Sequence, residues 1–145
     1  MFSFEEIQNK QVKYRLRITG FSMIGDVYKI KFTIPGIGEA EGELVRIKGP
    51  HLTELINRNL PITSRGLKRG DMFVIPTQVL YAIEKPRDLG KKGEIAYDSK
   101  AKAIIILLAD QRFESKMAVI GSITKNIKIF LNLKTSAGVK IDRGE

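Results

Sequence analysis

The sequence predicts a mainly β domain carrying one or two short α-helices. Apolar and polar residues alternate with period two in several runs, and glycine and proline punctuate the gaps between those runs. A single segment combines helical spacing with both a start and a stop signal. At 145 residues the chain is one structural domain by size, long enough to bury about two thirds of the surface its unfolded form exposes.

At the start of the chain, Ser3 and Glu6 have the spacing of a capping box, so a short helical turn is expected over Phe4–Asn9. Val12, Tyr14, Leu16 and Ile18 then alternate with Lys13, Arg15, Arg17 and Thr19, and Tyr28, Ile30, Phe32 and Ile34 alternate with Lys29, Lys31 and Thr33. Each run has one face fit for a core and one basic face. Pro35-Gly36-Ile37-Gly38 breaks the second run, and Glu41–Ile47 resumes an extended pattern, as a hairpin does. These glycines do not make a dinucleotide loop, because the third comes one residue late and a strand follows instead of a helix.

The best helix lies between Gly49-Pro50 and Pro61, with Pro50 at a first helical position and Leu52, Leu55, Ile56 and Leu60 at helical spacing. His51, the sole histidine, sits at its start and reads as a surface residue with no catalytic role. Ser64–Gly70 reads as a turn-rich basic segment, followed by a strand over Asp71–Ile75 that ends at Pro76. Lys85–Gly93 reads as a proline- and glycine-marked loop. Strands are expected at Gly93–Tyr97, Ala103–Leu108 and Met117–Ile123, the second a continuous apolar run. Residues 127–133 fit either period, since Ile127, Ile129, Leu131 and Leu133 alternate while Ile127, Phe130, Leu131 and Lys134 share a helical face.

Composition excludes several chemistries. With no cysteine there is no disulfide, thiolate zinc site or cysteine nucleophile. No apolar run reaches the length that spans a bilayer, and Glu5 and Glu6 stand where a secretory signal carries cations, so a soluble cytoplasmic protein without membrane contact is expected. No Asp, Glu or His grouping has metal-ligand spacing, and neither a metal nor another cofactor is expected. Ser99 and Lys102 have the spacing of some acyl-transfer pairs but fall in a turn between two strands, where they would not converge. The lysine-rich surface and net charge of +9 suit a thermophile-like composition or a polyanion partner.

Gly93-Glu94-Ile95-Ala96-Tyr97, the apolar strand after it, and Val119-Ile120-Gly121-Ser122-Ile123 resemble the closing strands of the small uncharacterised prokaryotic cyclophilin-like proteins, which lack the prolyl isomerase motif. Lys85-Pro86-Arg87 is similar to a turn that precedes the first of those strands in such proteins. The resemblance spans Tyr28 to the C-terminus. It implies a closed or flattened antiparallel β-barrel over 28–145, with residues 1–27 as an N-terminal extension of a short helix and an added strand. It also implies a helix across one barrel mouth, a short helix over 127–133, and a closing strand at Ala137–Ile141. Active cyclophilins carry Phe-His-Arg-Ile-Ile-Pro where this chain has Phe73-Val74-Ile75-Pro76, so Phe73 stands at the arginine's place and Gln78 follows the proline too soon. A barrel without a cation at the twisting imide has little means of lowering that barrier.

The function implied is non-catalytic binding of a small molecule or extended peptide in a groove on the barrel face, lined by Arg69, Phe73, Gln78, Tyr81 and Phe113. An atypical prolyl isomerase is the enzyme alternative, with Arg65, Arg69 or Arg112 supplying the cation. The third reading is nucleic-acid binding. If the strands from Val12 and Tyr28 pair, Lys13, Arg15, Arg17, Lys29 and Lys31 gather on one sheet face, and Lys116, Lys125, Lys128, Lys134 and Lys140 follow without an intervening acid. An added N-terminal strand would also offer an edge for a homodimer.

Overall fold

A computed structural model describes residues 26–144. The Phe4–Asn9 turn, the Val12–Thr19 strand and the cations Lys13, Arg15 and Arg17 lie outside the described residues. Among the described residues the strands are β1 Val27–Ile34, β2 Gly38–Val45, β3 Ile62–Arg69, β4 Met72–Pro76, β5 Pro86–Gly90, β6 Glu94–Asp98, β7 Ala103–Leu107, β8 Gln111–Lys125 and β9 Ser136–Arg143. A 3-10 turn covers Arg46–Lys48, helix α1 covers Pro50–Arg58, and a single helical turn, α2, covers Lys128–Leu131.

Eight strands close in the order β2-β1-β9-β3-β4-β7-β6-β8, with β8 returning to β2, and every pairing is antiparallel. The ninth, β5, lies outside this ring and pairs with the first half of β8. Period-two alternation sets the inside of the barrel. Ile30, Phe32 and Ile34 of β1 and Ala40 and Leu44 of β2 are buried, while Lys29, Lys31, Glu39, Glu41 and Glu43 take the other phase. The hairpin between them turns at Gly36, whose φ of +80° is the left-handed region glycine adopts without strain. Phe130 of α2 stands edge-on to Phe32 at 5.5 Å and tilted against Phe73 at 5.6 Å, so this one turn fills the barrel centre. Leu52 and Ile56 of α1 complete the core beneath the expected helix.

A second, smaller core lies on the other face of β7. Ala96, Ala103, Ile105, Leu107, Phe113, Met117 and Val119 form it, with Met72 and Val74 packed at its margin. All five residues of β7 are buried, which explains the continuous apolar run. β5 and the first half of β8 close over this face, and Gly90 packs so tightly that a Cβ there would collide with Leu107 and Phe113.

Several expectations are corrected. Ser64–Arg69 is strand, part of β3, which six residue pairs hold to β9 from Ile62↔Ile141 to Leu67↔Ser136 because Gly66 makes room for the Phe73 ring beneath it, and the turn begins only at Gly70. The expected loop over Lys85–Gly93 contains β5, with Pro86 at a strand's first position, where a missing N–H is tolerated. The Met117–Ile123 strand runs from Gln111 to Lys125. β1 is flanked by β2 on one side and, from Ile30 to Thr33, by β9 on the other, with Gly144 N–H adding a bond to Lys29 C=O. The short helix in 127–133 and the closing strand after it are present as α2 and β9.

Candidate functional site

The barrel wall opens between β3 and β4. These strands share three residue pairs, Leu67↔Val74, Lys68↔Phe73 and Arg69↔Met72, and then diverge. β3 runs back to Ile62 along β9 alone, and β4 runs on to Pro76 along β7 alone. The sequence causes this locally. Small residues, Ser64 and Gly66, occupy alternate positions of β3, the Phe73 ring fills the space under Gly66, and Pro76 has no N–H to give to a ladder. The result is a cleft of about 320 Å³ lined by Asn59 and Pro61, by Ile62, Thr63 and Ser64 of β3, and by residues 76–79.

Every lining residue is uncharged, in a chain of which 28% is charged. Ser64 Oγ donates to Pro76 C=O at 2.6 Å and bridges the diverging strands. Thr77 Oγ1 donates to Lys102 C=O at 3.1 Å and accepts Val79 N–H at 3.1 Å, which sets the turn after β4. Asn59 Nδ2 donates to Leu55 C=O at the end of α1. The Gln78 carboxamide and Thr63 hydroxyl have no hydrogen-bond partner among the described residues, which leaves them available to a ligand.

The loop that walls the cleft, residues 77–85, is fixed from below and from the side. Buried Tyr97 donates its phenol to Val79 C=O at 2.7 Å and accepts Tyr81 N–H at 3.3 Å. Burial raises the Tyr97 pKa, and the nearby Asp98 charge adds to this against the opposing bond from Tyr81. At the loop's far end Glu84 caps helix α1, whose own cap position is Gly49 and supplies no side chain. Its carboxylate accepts His51 N–H at 3.1 Å, Leu52 N–H at 3.0 Å and the His51 ring at Nδ1 at 2.8 Å. Burial, the largest single influence, pushes Glu84 upward. The bonds from Leu52 and His51 and the His51 charge together outweigh it, holding the carboxyl below its usual value. Tyr81 stacks on the exposed His51 ring with centroids 6.1 Å apart. Glu84 escaped sequence reasoning because a cap from 33 residues away leaves no local spacing signal.

Of the five residues expected to line one groove, the structure places Gln78 in the cleft and Tyr81 on the adjoining loop. Phe73 is fully buried in the barrel core and Phe113 is buried in the outer core, so these two are packing residues. Arg69 is exposed at the hairpin end of β3, at the opposite end of the strand from the cleft. No arginine lines the cleft: Arg65 reaches Ser136 Oγ at 3.3 Å and Arg112 stands on β8. Of the expected basic face, Lys13, Arg15 and Arg17 lie outside the described residues. Lys29 and Lys31 stand opposite Glu43 and Glu41 in the β1–β2 ladder, and Lys31 Nζ lies 3.9 Å from the Glu39 carboxylate. Ser99–Lys102 forms a turn between β6 and β7. Among the described residues no three His, Asp or Glu side chains converge as metal ligands, and no helix is long and apolar enough to cross a membrane.

No protein-family model matches the chain, and no curated protein matches it by sequence. Among solved structures, the solution structure of the hypothetical protein AF2241 from Archaeoglobus fulgidus is similar, with a TM-score of 0.70 and 25% identity over 82% of this chain and 96% of that one. McbB, solved in complex with tryptophan, is similar with a TM-score of 0.68 and 16% identity over 80% of this chain but only 45% of that one. What these likenesses share is the barrel.

Proposed function

We propose that the protein is a non-catalytic binding module of cyclophilin-like type that holds an extended, uncharged peptide segment in the cleft between β3 and β4. One observation carries this reading: two strands of an otherwise closed barrel separate, leaving facing backbone edges over a cleft with no charged lining. An extended segment laid there gains main-chain hydrogen bonds from β3, which pairs with no strand on that side from Ile62 to Gly66, while Ile62, Pro61 and Pro76 take its apolar side chains. Gln78 and Thr63 supply side-chain hydrogen bonds that fix the register. Isomerase chemistry finds little support in this cleft, because developing charge at a twisting imide calls for a cation and none lines it.

The test is selection from a random heptapeptide library, followed by titration of a selected peptide into isotope-labelled protein. Amide shifts are expected in Ile62–Gly66 and Thr77–Val79. Because no charge lines the cleft, affinity should change by less than about twofold between low and high salt. Failure to select any peptide, or shifts confined to another surface, overturns the reading.

A further inference from the structure

Among the described residues, β5 is the one strand that the closed barrel does not enclose. It pairs with β8 from Pro86↔Ala118 to Gly90↔Gln111, and among the described residues nothing bonds to its other edge. Charges of both signs stand along it, but among the described residues the cations are the ones left without a side-chain partner. Arg87, Lys91, Lys92 and, across the ladder from Leu89, Arg112 are exposed, and no acid pairs with their side chains among the described residues. The acids beside them are mostly engaged: Asp88 with Lys116 Nζ at 3.3 Å, Glu94 with Lys91 N–H at 2.7 Å, and Asp110 with Lys92 N–H at 2.8 Å. Glu114 on β8 is the exception. Leu89 adds an apolar side chain that is 50% exposed in the middle of the edge.

We infer that this edge is a docking surface for an acidic extended segment of another protein, which adds as a strand beside β5. A leading proline, a register shift at Asp88 and flanking cations are the devices by which edge strands deter unwanted pairing. They deter a second copy of this chain most, since self-pairing sets the same cations against one another. An acidic strand meets these cations with attraction instead, and Asp88, the one acid of β5, is already paired with Lys116. Such a strand neutralises Arg87, Lys91, Lys92 and Arg112 while covering Leu89.

The probe is a fluorescent eight-residue peptide alternating glutamate with valine, titrated into the full 145-residue chain. Binding is expected by anisotropy, with amide shifts confined to β5, residues 91–92 and the first half of β8, and with affinity falling steeply as salt rises. Arg87→Glu combined with Arg112→Glu weakens binding at least ~10-fold, while the lysine-for-glutamate version of the peptide does not bind the native chain. Both arginines are exposed, so the variant's amide spectrum reports whether it folds, and the salt titration on the unaltered chain reads the same electrostatics without a substitution. No binding of the acidic peptide, shifts in Ile62–Val79 instead, salt-independent affinity, or self-association of the free chain through β5 overturns the inference.

Discussion

The two walls of the barrel are built differently. On the β6–β7–β8 side all five residues of β7 are buried, with the barrel core on one face and the outer core on the other. On the opposite side, Gly66 is the sole buried residue among the eight of β3. The double-layered wall couples each strand to packing on two faces, so it opens only with the whole fold. The single-layered wall loses little when β3 and β4 separate, and that is where the cleft forms. The proposed binding cleft therefore lies where burial is thinnest.

The sharpest test of this contrast substitutes a glycine on each side. Gly121 lies at the β2–β8 closure, where a Cβ would collide with the Glu43 carbonyl, a backbone atom that cannot swing away. Gly121→Ala is expected to cost at least about 4 kcal/mol in urea unfolding or to prevent folding. Gly138 of β9 pairs with Arg65 of β3, and a Cβ there meets nothing within 4 Å. Gly138→Ala should leave stability within about 0.5 kcal/mol or raise it slightly, by restricting the unfolded chain. Equal costs would show that the two walls are equally constrained.

Core truncation gives the next largest effect. Phe113→Ala empties part of the outer core and is expected to destabilise by about 3 kcal/mol, whereas Ile62→Ala, half-exposed on the thin wall, costs about 1 kcal/mol. Calorimetry or urea titration of the two variants ranks the walls directly. A reversed ranking breaks the comparison.

How far the sequence revealed each wall follows from the same difference. The apolar run at Ala103–Leu108 and the alternation at Tyr28–Ile34 announce strands because burial dictates those residues. β3 could not be read as strand, since Ile62, Ser64, Gly66 and Lys68 carry no apolar alternation and the strand is held by its neighbours. β5 was hidden for the same reason: the first four of its five residues, Pro86–Leu89, are all exposed, and a proline with a glycine looks like a loop. Gln78, which lines the cleft, stands out in the sequence because a motif comparison points to the stretch after Pro76. Phe73 and Phe113 were misplaced because a motif position does not say which face of a sheet a side chain takes.

The loop joining the two walls has its own signature in pH. Glu84 has its folded pKa depressed below the ordinary value of 4.5, so the stability it contributes is present above that value and is lost as pH falls through the lower, folded one. Glu84→Gln is expected to cost about 1–2 kcal/mol at neutral pH, with the gap to the native chain closing progressively below about pH 4.5. Urea unfolding of both chains between neutral pH and pH 3 measures it. A gap that stays constant across that range would show that the carboxylate charge does not secure the loop to helix α1.

The smallest stability effect is expected at the cleft itself, and that is what makes it informative. Gln78 is exposed and its carboxamide bonds to nothing among the described residues, so Gln78→Ala should leave unfolding within about 0.5 kcal/mol of the native chain. The same change removes a ligand-facing donor and acceptor, so a library-selected peptide should bind it about 5- to 10-fold more weakly. Stability and binding then separate at one residue, as they must if the thin wall is spared from holding the fold together. Were Gln78→Ala to unfold the protein as readily as Phe113→Ala, the side chain would belong to the scaffold, and the division of labour between the two walls would fail at the residue where it is most exposed to test.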